Sequence, residues 1–330
     1  MKNRSVLSRR ELLSLMGLSG AGLIVQPGTA AAAASPVQET PLIYRFKIGE
    51  FSATCLNDGF RKLDSQQAFY APKESTKEFN ALLKDWDIVW GPGFITYNAL
   101  LVDTGNERVL IDSGSGGKVS PSLGKVLTGL EAAGYHPEDI SVVFLSHGHP
   151  DHIGGMVTID NKPTYPNAKH FVLKNEFAFW TGEPDLSAQL VPDGQKVFLI
   201  SFAQERFAVL KDMFTLIDDG TEFTPGFKAI SAPGHTPGHC IVDIRSGSDR
   251  LFHMVDLGHH HVVPFQRPFW RAAPDTNPMI ASQTRKKIFT QVAQERTRVF
   301  GYHMPFPAVG HIRTSGPGFE WLPEPWTPVV

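Results

Sequence analysis

Three histidines and one aspartate occupy four of six consecutive positions in His147-Gly148-His149-Pro150-Asp151-His152. Imidazole and carboxylate groups ligate zinc, iron or manganese. A tight Gly/Pro loop lets His147 and His149, two apart, face one ion while Asp151 and His152 turn toward a second. At this composition such a pattern arises by chance in about one chain in a thousand, so it reads as a metal site rather than a solvated loop. Four other short stretches end in the same chemistry: Leu110-Ile111-Asp112, Pro233-Gly234-His235, Met254-Val255-Asp256 and Gly301-Tyr302-His303. Each alone says little, because a turn histidine or a strand-terminal aspartate is usually only polar surface. Together they give seven candidate ligands, His147, His149, Asp151, His152, His235, Asp256 and His303, with Asp112 beside them.

Every one of these stretches follows an apolar run, so the question becomes which elements hold them. Tyr44–Leu56 alternates around Gly49-Glu50 and reads as paired strands. Residues 64–93, with Trp86, Trp90 and Pro92, read as irregular. Phe94–Val102 and Arg108–Ile111 form a hairpin around Thr104-Gly105-Asn106. From Pro121 to Gly134, Leu123, Val126, Leu127 and Leu130 fall at helical spacing, with Gly134 as a stop. Ile140–Leu145 is a fully apolar run, hence a buried strand. An aromatic-rich helical region covers 170–215. Strands follow near Phe227–Ala232, Ile241–Ile244 and Leu251–Val255, and a helix near Pro278–Arg296 leads into a last strand, Arg298–Tyr302. Two halves, each strands then helix, predict one α/β sandwich with helices outside. Strand ends on one side of such sheets converge on a single cleft.

The chain has 330 residues, 42% hydrophobic and 19% charged, and a net charge of −2. That excludes a disulfide-stapled miniprotein or a disordered tail. Residues 1–34 are basic, with Lys2, Arg4, Arg9 and Arg10 against Glu11, so the remainder is more acidic still and has no electrostatic footprint for nucleic acid. Arg9-Arg10 precede the apolar run Leu12–Val25, and small residues Ala30–Ala34 close it. This order is read as a cleaved twin-arginine export signal over 1–34, followed by a linker over 35–41 and one domain over 42–330. The apolar run, broken by Gly17, Gly20 and Gly22, is too short to span a bilayer, and no later run reaches 18 apolar residues, so no membrane association is expected after cleavage. The mature protein is expected in the periplasm or secreted. Cys55 and Cys240 lack ligand spacing and read as small buried hydrophobes.

The ordered set Asp112, His147-x-His149-x-Asp151-His152, His235, Asp256 and His303 resembles the metallo-β-lactamase superfamily. Gly134-Tyr135-His136-Pro137-Glu138-Asp139-Ile140, Phe179-Trp180, Thr284-Arg285-Lys286-Lys287 and the tail Phe306-Pro307-Ala308-Val309-Gly310-His311-Ile312-Arg313 look most like the exported methyl parathion hydrolase group, related to quorum-quenching lactonases. The resemblance implies an αββα sandwich, typically a homodimer. It implies that His147, His149 and His235 hold one divalent ion, that Asp151, His152 and His303 hold the other, that Asp256 bridges, and that Asp112 orients the cluster by hydrogen bonds. Zinc is the first expectation, with iron, manganese or cobalt as alternatives. Asp112, Asp151 and Asp256 are then the carboxylates on which turnover depends.

The chemistry expected is hydrolysis by a hydroxide shared between two metals, without a serine or cysteine nucleophile. Phe179, Trp180 and Phe198 are candidate walls of the substrate pocket. Two departures from the organophosphate-degrading relatives bear on the substrate. The loop Gly116-Gly117-Lys118-Val119 lacks their aromatic residue, leaving Val119 as a less aromatic wall. After Asp256 comes His259-His260-His261, of which one, His259, is expected in the pocket and the others in solvent. A lactone or aryl ester is therefore the first expectation, with phosphotriester hydrolysis as a side activity. The alternatives are a phosphotriesterase proper, a β-lactamase, a glyoxalase-II-like thioesterase or a nuclease. Acidic charge and the export signal speak against the nuclease. From a different class, a non-catalytic exported metal-binding protein would have lost at least one signature residue, and none is missing.

Overall fold

Strict alternation in the first strand already assigns its two faces: Tyr44, Phe46 and Ile48 are buried while Arg45 and Lys47 are exposed. In the computed structural model, residues 41–327 are described apart from Val89, Trp90, Pro92 and Lys118. The expected export signal and nearly all of the linker therefore lie outside the described residues, as do Trp90, Pro92 and Lys118. The described residues belong to one compact unit, Thr40–Val330.

Two seven-stranded sheets make up the fold. The first runs in spatial order β1 (Ile43–Ile48), β2 (Phe51–Leu63), β3 (Gly93–Asp103), β4 (Arg108–Ile111), β5 (Val142–Leu145), β6 (Lys169–Leu173) and β7 (Phe214–Ile217). The second comprises β8 (Glu222–Thr224), β9 (Phe227–Ser231), β10 (Cys240–Ser246), β11 (Asp249–His253), β12 (Arg298–Phe300), β13 (Val309–Ser315) and β14 (Gly318–Pro323), also in chain order. The inner faces bury one core, with Phe46, Leu100, Ile111 and Phe144 from the first sheet and Phe227, Ile241, Phe252 and Phe300 from the second. A second core lies between the first sheet and helices that carry Phe79, Leu130 and Phe207. The helix Pro278–Glu295 contributes Ile288, Phe289 and Val292 and contacts β13. This is the αββα sandwich expected. Among the described residues no helix is long and apolar enough to cross a membrane.

Parallel pairing is what gathers the chemistry. β4, β5, β6 and β7 pair in parallel, and so do β11 and β12. Asp112 follows β4, and the histidine motif follows β5. In the second sheet Asp256 follows β11 and His303 follows β12. Parallel neighbours necessarily put their carboxyl ends at the same edge.

Four sequence readings are corrected. Residues 64–93 contain two helices, Gln66–Tyr70 and Thr76–Asp85, each capped by a serine. Ser65 Oγ accepts from Ala68 N, and Ser75 Oγ accepts from Glu78 N. The short period and flanking tryptophans hid these caps. Within 170–215, the helices Lys174–Thr181 and Asp193–Leu210 alternate with β6 and β7, whose apolar residues do not distinguish a buried strand from a helix by periodicity. The strand after Pro278–Glu295 is not the last, because β13 and β14 follow it as an antiparallel hairpin. The helix expected from Pro121 begins only at Val126. It ends at Gly134, whose φ of 90° is a left-handed cap that favours glycine. Cys55 on β2 and Cys240 on β10 are both buried and unpaired.

Candidate metal centre

Ring nitrogens and carboxylate oxygens from four separate segments meet at the sheet edge. His147, His149, His235 and Asp256 place their ligand atoms within 4.8 Å of one another, and so do Asp151, His152, Asp256 and His303. Asp256 belongs to both groups. Its Oδ2 lies 3.2 Å from His235 Nε2 and 3.2 Å from His303 Nε2, and its Oδ1 lies 3.3 Å from His152 Nε2. All seven residues suggested by the sequence are therefore brought together.

Local structure explains how short loops achieve this. Asp112 adopts φ 59°, a left-handed conformation that Asp tolerates better than most residues. It turns a fully buried carboxylate back onto the histidine loop. Its Oδ1 accepts from Ser146 N at 2.8 Å, and its Oδ2 accepts from Ser146 Oγ at 2.7 Å and faces His152 Nδ1 at 2.8 Å. Val255, next to Asp256, sits at φ 45°, a strained conformation for a β-branched residue and of the kind found at functional sites. Gly148 separates His147 from His149 because Trp180 packs against it; a Cβ there would lie 2.5 Å from the indole Cδ1.

The hydrogen bonds fix the histidine tautomers. Ser146 Oγ gives its one proton to Asp112, so it accepts from His147 Nδ1 at 3.0 Å. His152 Nδ1 donates to Asp112, His235 Nδ1 to Asp275 Oδ1 at 3.0 Å, and His303 Nδ1 to the Thr96 carbonyl at 2.9 Å. Four Nε2 lone pairs then point inward. His149 presents Nδ1, 3.1 Å from His147 Nε2 and 2.8 Å from His235 Nε2. Buried acceptors facing acceptors repel unless a cation lies between them. On the inward side, His152 Nε2 and Asp256 Oδ1 are buried without hydrogen-bond partners. The donor set therefore fits two divalent ions.

Electrostatics point the same way. Burial, reinforced by neighbouring imidazoles, pushes His147 and His149 well below the usual histidine range, so both are neutral ligands. For His152 burial opposes the charged form, but Asp256, Asp151 and Asp112 outweigh it and hold the group well above its usual value. His235, opposed by burial but bonded to Asp256 and Asp275, is raised to about 9. Asp256 is held well below the carboxylate range despite burial, chiefly by His303 and His152. The carboxylates make this a place where positive charge is stabilised.

A cleft of about 560 Å³ opens onto the site, and Val119, Phe198 and His259 all line it. His259 Nε2 is 3.2 Å from Asp256 Oδ2 and its ring stacks on His303 at 5.1 Å. Two expected wall residues are corrected. Trp180 is fully buried, donating Nε1 to Glu176 Oε1 at 2.6 Å and packing edge-on against His149 at 5.8 Å, while Phe179 packs on Trp180 at 5.0 Å. Trp180 therefore backs His149, and neither residue lines the cleft. His260, expected in solvent, is buried against Tyr70 and accepts from Val262 N and Val263 N at 3.0 and 3.2 Å, which caps the helix Val263–Gln266.

Sequence reading missed three supporting residues. Glu176 is a buried carboxylate that binds the loops of His149 and His235 together. Asp275 orients His235. His239 Nε2 accepts from Asp256 N at 3.2 Å and its Nδ1 faces the Ala232 carbonyl at 2.9 Å. His239 lies four residues past His235, and Glu176 and Asp275 lie on apolar or irregular stretches with no periodic signal.

Comparison with known proteins places this geometry in context. The family model described as the metallo-beta-lactamase superfamily matches residues 92–314. The solved structure of AidC, a dizinc quorum-quenching lactonase in complex with a product, is 33% identical with a TM-score of 0.82, covering 86% of this chain and 98% of that one. The hydrolase AbOPH, of the beta lactamase superfamily, is 27% identical with a TM-score of 0.79, covering 88% and 100%. The N-acyl homoserine lactonase of Bacillus cereus is 26% identical over 156 residues, 42% of this chain and 51% of that protein, so the match spans about half the length of this curated relative.

Proposed function

We propose that this chain, which belongs to the metallo-β-lactamase superfamily, is a two-metal hydrolase that opens lactones and cleaves aryl esters, with phosphotriester hydrolysis as a side activity. The observation that carries the reading is the pair of four-residue ligand groups sharing Asp256, set in a fold similar to that of a dizinc lactonase. When bound, two divalent ions supply Lewis acidity toward the ester carbonyl and lower the pKa of a water toward neutrality.

The protein's own groups do the rest. His147, His149 and His235 would hold one ion and Asp151, His152 and His303 the other, with Asp256 available to either. Asp112, Asp275 and the Thr96 carbonyl each hold a Nδ1 proton outward, so in the neutral ring the other nitrogen is the one left as a lone pair to face the ions. Val119, Phe198 and the neighbouring Leu199 give the cleft an apolar wall that excludes water from the acyl portion of the substrate. His259, held neutral by burial that lowers it to about 4, offers a ring nitrogen on the same wall for a substrate oxygen.

Arg9-Arg10 and the apolar run behind them support export by the twin-arginine route to the periplasm, and the resemblance to the methyl parathion hydrolase group supports a homodimer. The reading is tested by assaying zinc-loaded protein against lactones, aryl esters, phosphotriesters and β-lactams. Lactones should be turned over with the highest kcat/KM, and a preference for β-lactams or phosphotriesters would overturn it.

A further inference from the structure

Arg61 is an arginine on the wall of the cleft that has no ion-pair partner among the described residues. It stands on β2 opposite Ile95 of β3, and Ile95, Tyr97 and Phe69 line the cleft beside it. The guanidinium carbon lies over the Phe69 ring, 5.4 Å from its centre. Its Nε is buried and has no hydrogen-bond partner, and among the described residues no carboxylate lies within ion-pairing distance of it.

Other buried or half-buried arginines are paired. Arg285 faces Asp275, Arg298 faces Glu324, Arg206 faces Glu205, and Arg250 faces both Asp243 and Glu295. The carboxylates on the Arg61 cleft, Asp151 and Asp256, are engaged by His152, His235 and His303. Its electrostatic neighbours Tyr70 and Tyr97 are phenols that burial holds neutral. A neutral substrate that filled the cleft would strip water from a guanidinium and return no counter-charge, which is costly. A substrate carrying a carboxylate would supply the planar two-oxygen acceptor that the guanidinium fork matches.

We infer that Arg61 is a specificity-determining residue that pairs with a carboxylate carried by the substrate apart from the bond that is cleaved. The cleft is then built for acidic lactones or esters. The inference rests on the hydrolase reading above for its turnover assay but not for its binding assay.

The probes are a γ-butyrolactone bearing a carboxylate beside the ring oxygen and the same lactone bearing a carboxamide. Zinc-loaded wild type should favour the carboxylate by about tenfold or more in kcat/KM, mostly through KM. Arg61→Gln should bring the ratio near one, and Arg61→Lys should restore part of it; the ratio, not the absolute rate, is the readout. A ratio near or below one in the wild type, or a ratio that survives in Arg61→Gln, overturns the inference. Binding of the matching cyclopentanone carboxylate and carboxamide, measured by calorimetry on the same proteins, needs no turnover. If neither lactone is hydrolysed but the ketone carboxylate binds more tightly in an Arg61-dependent way, the hydrolase reading fails and the carboxylate site stands; equal binding of the two ketones removes the site.

Discussion

Asp275 accepts the Nδ1 proton of His235 at 3.0 Å with one oxygen and faces the Arg285 guanidinium at 3.4 Å with the other. Arg285 is itself fully buried and donates to the carbonyls of Leu257, Pro268 and Trp270. Leu257 follows Asp256, so one arginine ties the carboxylate behind His235 to the backbone beside Asp256. Ligand orientation here depends on residues that never face the ions.

Asp275→Asn keeps the shape but removes the charge that makes His235 a better donor. Zinc affinity of the group containing His235 should fall by about ten- to a hundredfold, measured by competition with a chromophoric chelator, with the melting temperature checked in parallel. Unchanged affinity would show that Asp275 serves only the packing around Arg285.

Glu176 links the two loops that carry the first ligand group. It accepts from Gly148 N at 2.8 Å, Trp180 Nε1 at 2.6 Å, Thr236 Oγ at 2.6 Å and Gly238 N at 3.0 Å. Glu176→Ala leaves four buried donors unpaired and should cost about 3 kcal/mol or more in urea unfolding. Glu176→Gln, which keeps one acceptor oxygen, should cost less. Equal stability of Glu176→Ala and wild type would contradict the linking role.

Asp58 gives a pH signature away from the ligands. Burial raises its pKa from 3.8 to about 6, although Ser115 N and Val126 N donate to it. The folded state therefore keeps a proton that the unfolded chain has released between those values. Stability from this group is greatest below pH 3.8 and falls as pH rises to about 6. In metal-free protein, the stability of wild type relative to Asp58→Asn should drop by about 2 kcal/mol between pH 4 and pH 7. A difference that is flat with pH would contradict it.

The ligands were legible in the sequence because each one ends an apolar run, and parallel pairing sends those ends to one edge. His147 after β5 and Asp112 after β4 follow from that rule alone. What supports them was not legible. Glu176 and Trp180 are four apart on a helix, and nothing in their spacing tells which side faces the cleft and which packs behind His149. Trp180 therefore reads as a pocket wall when it is a backing residue. His260 reads as solvated because its neighbours are histidines, yet its ring accepts two backbone protons that only the folded turn brings near. The helices at 66–70 and 76–85 depend on serine caps in a stretch with little apolar periodicity.

Asp256 is the residue on which both ligand groups converge, so metal content of Asp256→Ala by mass spectrometry, alongside lactone turnover, tests the account most directly. Wild type should carry two zinc equivalents per chain. The variant should lose at least one of them, with kcat/KM reduced by about a thousandfold or more. Retention of two equivalents and wild-type turnover in Asp256→Ala would contradict a centre built around a shared carboxylate.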